Sequence, residues 1–434
     1  MRFTQRELGK GMRLHLCETD KFKSLTCKVF IRQDLQAKNA TSTALLPLLL
    51  RRGSQKFPST LHIARELEDL YAAEFGVDIL KIGEQQILEL YMQMVDPSLV
   101  PQGERLLERG LKAFWEICTQ PQGPSDRFMD SYFEQEKSTL EQELKGLVND
   151  KNSYALARFV ALMCANEPFG IYKSGDLENL RQLENRDVYG HYQTLLAKHP
   201  IDIFCVGPNL DEVARLFTSL IPSHDHTIEL ELPQTIQVTE ERFFEETMNF
   251  NQAVLVMGYR TNCSYRDKDY YALLVGNGVL GGFAHSKLFM NVREKASLAY
   301  SVGSHIEGSK GLLTITAGIS DDQQEKALAI IGEQVSACQA GQISADELEQ
   351  TKRGLISAMT SLHDSPTGII DRNLIGVVEG EMRTIDQVVD AIRRVEYDDC
   401  VRVMEKIQLD TTYILRPGDS QNTIDEKGSN HGEN

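Results

Sequence analysis

An internal duplication constrains this chain more than any other feature of its sequence. The segment LENRDVYGHYQTLLAKHPIDIFCVGP, ending at Pro208, is matched about two hundred residues later by IRRVEYDDCVRVMEKIQLDTTYILRP, ending at Pro417. Both carry apolar positions at helical spacing, then a short turn, then a run rich in β-branched and aromatic residues closed by proline, which predicts a helix feeding a strand. The match extends backward. SLTCKVFIRQ corresponds to FNQAVLVMGYR, EFGVDILKI and QQILELYMQM to AYSVGSHIE and LLTITAGI, and FMDSYFEQEKSTLEQELKGLVND to ISADELEQTKRGLISAMTSLHD. In the last of these Ser344 and Glu347 form an S-x-x-E capping box that marks a helix start. A chain of 434 residues exceeds the roughly 250–300 at which single cores stop growing. The duplication divides it into two α+β halves, each a largely antiparallel sheet with helices packed on one face.

The segment PSHDHTIELELPQTIQVTEER, polar and carrying Pro222 and Pro233, reads as an extended connector. The expected organisation is a first half over 1–221, a linker over 222–240, a second half over 241–417, and a disordered tail over 418–434, where one aliphatic residue leaves nothing to bury.

Charge and cysteine usage narrow the function. A net charge of −17 argues against nucleic acid, since binding the phosphate backbone depends on clustered Lys and Arg releasing counterions. No stretch reaches the ~18 apolar residues of a membrane span, and the N-terminal MRFTQRELGKGMRLHL lacks the apolar core of a signal peptide, so the expected location is cytoplasmic. Eight scattered cysteines without a C-x-x-C pair read as reduced thiols with no metal or disulfide role.

Gly276, Gly278 and Gly281 satisfy G-x-G-x-x-G, but the dinucleotide fingerprint needs a strand before it and an acidic residue after it to hold ribose. The preceding RDKDYYALLV has helical spacing, so these glycines are expected to end a helix and open a flexible loop.

The stretch VLGGFAHSKLFMNVREKASLAYSVGS resembles the second-half signature of the M16 family of zinc metallopeptidases, the group of insulinase, pitrilysin and mitochondrial processing peptidase. With the duplication, the resemblance covers the chain from GMRLHLCE to Pro417 and implies a fold of the M16/LuxS-like metallohydrolase type. It also implies that Arg293 and Tyr300, seven residues apart, hold a substrate peptide and stabilise its reacting carbonyl. A guanidinium and a phenol suit that task, because both donate hydrogen bonds that strengthen as charge develops on the oxygen. Gly281, Gly282 and Phe283 would touch the substrate beside them.

Catalysis in this family also needs H-x-x-E-H on a first-half helix, two histidines binding zinc and the glutamate acting as base. Counted from RRGSQKFPS, the positions of His, Glu and His fall on Ala44, Pro47 and Leu48 within TALLPLLLRRGS, and none can ligate a metal or move a proton. Pro47 would have to sit near a first helical turn or at a kink. The third ligand position falls on Glu136, with Glu134 or Glu143 as alternatives, and all three read as a solvated helix face. His62 with Glu66, and His224 with His226, supply no convergent ligand set. His285 and His305 flank the Arg and Tyr without an identifiable partner.

The resemblance therefore implies a chain that binds no cofactor itself and acts as the non-catalytic subunit of a heterodimer, facing a zinc-bearing M16 homologue around a peptide or protein substrate. By resemblance alone, bacterial members without the zinc motif are also linked to elongation factor P modification. The alternative is a catalytically inert scaffold or peptide-binding protein of the same fold.

Overall fold

The computed structural model describes residues 1–222, 227–233, 236–250, 252–418 and 425–426. They divide into two compact units. The first comprises Met1–Gly146, Ile171–Leu232 and His363–Val378; the second comprises Leu147–Gly170, Pro233–Leu362 and the described part of Glu379–Asn434.

The first unit is built on β1 (Thr4–Gly9), β2 (Met12–Glu18), β3 (Ser24–Asp34), β4 (Glu74–Ile82), β5 (Gln85–Val95) and β6 (Ile201–Gly207), in the order β1-β2-β6-β3-β5-β4. The second has β7 (Arg242–Met248), β8 (Ala253–Arg260), β9 (Ala299–Glu307), β10 (Leu312–Ile319), β11 (Gln408–Pro417) and β12 (Asp425–Glu426), in the order β12-β7-β11-β8-β10-β9. Among the described residues only β2 with β6 and β7 with β11 pair in parallel. The α+β class and largely antiparallel sheets are as the duplication predicted.

A buried ion pair marks the repeat. Arg32 on β3 donates through Nε to Asp202 at 3.0 Å, and Arg260 on β8 donates through Nε to Asp410 at 2.8 Å. Keyed on these arginines, Ile87 opposite Arg32 corresponds to Leu312 opposite Arg260.

Central strands β3 and β8 are buried along nearly their whole length, which requires cover on both faces. Leu25, Cys27, Val29 and Ile31 face a core shared with the helices Ala37–Leu50, Gly103–Thr119 and Asn185–Lys198. Phe30, opposite, packs with Ile370, Leu374 and Val377 of the helix Pro366–Glu379. In the second unit Leu255 and Met257 face one core, while Val254 and Val256 pack with Phe159 and Met163 of the helix Lys151–Met163. The sequence-based organisation is corrected here: helices lie on both faces, and residues 147–170 and 363–378 each belong to the unit of the other half. An amphipathic helix must bury its apolar stripe, but that stripe does not specify which sheet receives it.

Within the expected linker, Ile228 donates its backbone N–H to the Lys198 carbonyl at 2.8 Å and Glu231 donates to the Asp34 side chain at 3.0 Å, so 227–232 runs along the first unit. The tail from 419 onward lies outside the described residues apart from β12, as do His224 and His226. All eight cysteines are free and buried. No helix among the described residues is long and apolar enough to cross a membrane.

Candidate functional site

Ala44, Pro47 and Leu48 lie on the helix Ala37–Leu50, Ala44 and Pro47 buried and Leu48 half-buried. Pro47 sits in the last turn rather than the first, where a residue's N–H would ordinarily bond the carbonyl four residues back, so the proline deprives the Thr43 carbonyl of that partner. One residue before Ala44, the Thr43 hydroxyl accepts from Gln33 Nε2 at 2.7 Å and lies 2.8 Å from His191 Nε2. Burial, with a contribution from His199, pushes the His191 imidazole down to about 4. It is therefore neutral at pH 7 and free to accept the Thr43 proton. The helix is held by a polar clamp where the family's metal site would begin.

Glu136, on the helix Asp130–Gly146, is buried and ion-paired to Arg52, which also lies over the Tyr132 ring at 5.8 Å. Glu134 and Glu143 are exposed. The solvated-face reading holds for those two and is corrected for Glu136: a buried carboxylate needs a cation, and Arg52 supplies one. The residues present do not fit zinc, since three ligand-helix positions carry no donor and the remaining carboxylate is neutralised. Among the described residues no group of three or more His, Cys, Asp or Glu is placed to hold a metal ion. His62 hydrogen-bonds Ser59 at 2.8 Å, and Glu66 pairs with Arg109 at 2.7 Å.

In the second unit the helix Tyr270–Asn277 leads into a wider, π-helical turn at Gly278–Gly282, and a second such turn covers Phe289–Lys295. The glycines are therefore packed helical backbone, not a flexible loop. A Cβ on Gly281 would come within 2.8 Å of the Ser304 amide on β9 and 2.7 Å of Leu288, so glycine is what lets this turn lie against the strand. Gly282 is exposed. Phe283 is half-buried; its ring packs at Gly278 and Gly354 and stacks on His285 at 5.2 Å, while His285 reaches Thr351 at 3.0 Å.

Arg293 and Tyr300 are both exposed, as are Glu294, Lys295 and Ser301 next to them. The Arg293 guanidinium lies over Phe289 at 4.7 Å with its side chain 44 % exposed. Tyr300 is 81 % exposed on edge strand β9, and its hydroxyl has no hydrogen-bond partner among the described residues. The β9–β10 register passes from Ser301↔Gly318 to Ala299↔Ile319, leaving Tyr300 unpaired. Such a bulge re-aims a side chain, and here it turns Tyr300 out of the ladder. The Arg293 turn packs against the same strand. The turn and the strand thus present one hydrogen-bond donor each beside the edge of the sheet.

Comparisons with known proteins bear on the family and the fold. Residues 182–355 match the family described as Peptidase M16 inactive domain. The chain is 32 % identical over 408 residues to a protein of Bacillus subtilis (strain 168) named "Probable inactive metalloprotease YmfF", covering 94 % of this chain and 96 % of that one. It is 30 % identical over 150 residues to "Uncharacterized zinc protease YmxG" of the same organism, covering 34 % and 36 %. A crystal structure of a conserved protein from Enterococcus faecalis V583 superposes with a TM-score of 0.89 at 27 % identity, covering 97 % of this chain and all of that one.

Proposed function

Because this chain belongs to the M16 metallopeptidase family, as an inactive member with Ala44 and Leu48 at the two zinc-histidine positions and Pro47 at that of the base, we propose that it is the substrate-holding, non-catalytic subunit of a two-chain peptidase. The observation that carries the reading is Tyr300: a large aromatic side chain, 81 % exposed, turned out by a bulge on an open sheet edge with its hydroxyl unpartnered. An extended peptide adds to such an edge through main-chain hydrogen bonds. Tyr300 and Arg293 then donate to its carbonyl oxygens, orienting one for attack and holding the charge that develops on it. This chain moves no proton and activates no water, so the metal and the base come from a zinc-bearing homologue. Support for such a partner is the coexistence, in one Bacillus strain, of an inactive relative and a zinc-protease relative of this chain. The eight buried free thiols suit a reducing, cytoplasmic compartment.

The test is purification of the native chain from its own cells, followed by reconstitution. The expected result is recovery of a similar-sized chain bearing H-x-x-E-H, with about one zinc per pair. The double variant Arg293→Ala, Tyr300→Phe should cut peptide cleavage by the pair at least about 100-fold, the cost of losing oxyanion-type donors. Cleavage unaffected by both changes would sink the composite-site reading and favour the inert scaffold.

A further inference from the structure

Beside β9 lies a cavity that the proposed function does not use. The helix Lys151–Met163 rests on the sheet at β8, where Phe159 and Met163 sit so close to Gly258 that a Cβ there would fall within 2.5 Å of both. Leu312 of β10 is packed into the same cluster, but beyond it the face opens at Thr316 of β10 and His305 of β9, both exposed. The gap, about 470 Å³, is walled by Leu156, Phe159, Met163 and Phe169 and floored by cross-strand pairs such as Gly303↔Thr316. Leu156 stands at it 41 % exposed, an apolar side chain left half in water.

The fold does not impose this gap. In the register set by the two buried arginines, Gly303↔Thr316 corresponds to Gly76↔Tyr91 of the first unit. There the Tyr91 ring lies on Gly76, 3.5 Å from a Cβ built at that glycine, and Lys28 lies over the same ring while pairing with Glu89 and Asp371. The first unit fills the space with side chains. The second keeps the glycine and puts a threonine where the tyrosine would be.

We propose that this cavity is a specificity pocket for a bulky apolar side chain, aromatic or long aliphatic, on a peptide lying along β9. The inference rests on the strand-addition reading above and names the substrate class it selects. A strand added to β9 lies ~4.8 Å further out, and its alternate side chains point to the same face as Gly303 and His305. One of them enters over Gly303, where no side chain blocks the way, and meets the apolar wall of the Lys151–Met163 helix. A ring fits easily, since a cavity of about 150 Å³ accommodates benzene.

Binding of fluorescein-labelled eight-residue Ala/Ser/Thr peptides, with a single Phe moved through the sequence, tests this on the full chain and on the chain with its zinc-bearing partner. The expected result is that Phe at one register tightens binding about ten- to a hundredfold over the Ala parent, the worth of burying one such side chain, while Asp there does not. Thr316→Tyr, which rebuilds the first unit's filling, should abolish the Phe preference and leave the Ala parent unaffected. Leu156→Asp, at an already exposed position, is a second variant with the same expected direction. If the Ala parent binds without any Phe preference, or if Thr316→Tyr leaves the preference intact, the pocket assignment is overturned and strand addition stands. If no peptide of the series binds either preparation up to millimolar concentration, both fall.

Discussion

The Arg52–Glu136 pair makes an asymmetric prediction. Its two members are unequally buried: the Glu136 side chain is 5 % exposed and that of Arg52 36 %. Removing the arginine strands a carboxylate where water cannot reach it, a loss of about 3–5 kcal/mol for an uncompensated buried charge. In Arg52→Met the new side chain recovers some packing against Tyr132, so the expected net loss is about 3 kcal/mol. Removing the glutamate charge instead strands a guanidinium that is already one-third in water and can swing further out, so Glu136→Gln, which keeps the shape and an acceptor, should cost about 1 kcal/mol. The two variants should therefore differ by about 2 kcal/mol, roughly thirtyfold in the unfolding equilibrium.

The assay is built in. Trp115 is the sole tryptophan and lies on the helix Gly103–Thr119 of the first unit, so its fluorescence during urea unfolding follows the unit that contains the pair. For a unit of this size each kcal/mol shifts Tm by about 2–4 °C, so Arg52→Met should melt about 6–12 °C lower and Glu136→Gln about 2–4 °C lower. Equal losses, or a larger loss for Glu136→Gln, would refute the idea that Arg52 compensates the buried carboxylate of Glu136.

Three further outcomes follow from the same coordinates. His191 is held down to about 4 in the folded protein by burial against ~6.5 when exposed, so between pH 6.5 and 4 the unfolded chain binds a proton that the folded chain refuses. The contribution is complete above pH 6.5 and is lost as pH falls through that window, up to about 3 kcal/mol; urea titrations at pH 7 and 4.5 should show His191→Gln flattening the loss, and an unchanged slope would count against the clamp on Thr43. Gly281→Ala should destabilise by about 1–3 kcal/mol, because the Cβ meets the rigid Ser304 amide, and should weaken peptide binding by displacing the turns beside β9; a melting temperature equal to wild type would show that the turn yields freely. Gly332→Ala, on the helix Gln324–Gln339 with nothing within 4 Å of its Cβ, should instead stabilise by about 0.5–1 kcal/mol, and a loss in the same melting assay would contradict it.

What the sequence revealed and what it hid divide along physical lines. The strands and long helices of both halves were legible because period and capping are local: Ser344 and Glu347 make the expected reciprocal hydrogen bonds. The lost zinc site was legible because it is a matter of residue identity, and alanine, proline and leucine carry no donor atoms wherever they lie. Arg52 with Glu136 was not legible, since the partners are far apart in sequence and either alone resembles a surface charge. The bulge at Tyr300 is a one-residue slip in a ladder, invisible to a period-two pattern. The helices Lys151–Met163 and Pro366–Glu379 were not singled out in the sequence, and an apolar stripe would not in any case have said which sheet receives it. One signal could have anticipated cover on the second face. AVLVMGY carries apolar residues on both strand parities, where a strand facing water on one side would alternate, as SLTCKV does until Phe30. A helix on each face is what that lack of alternation demands. The cavity at Gly303 is the place where the demand is incompletely met, its wall ending over β8 and its floor running on to the free edge.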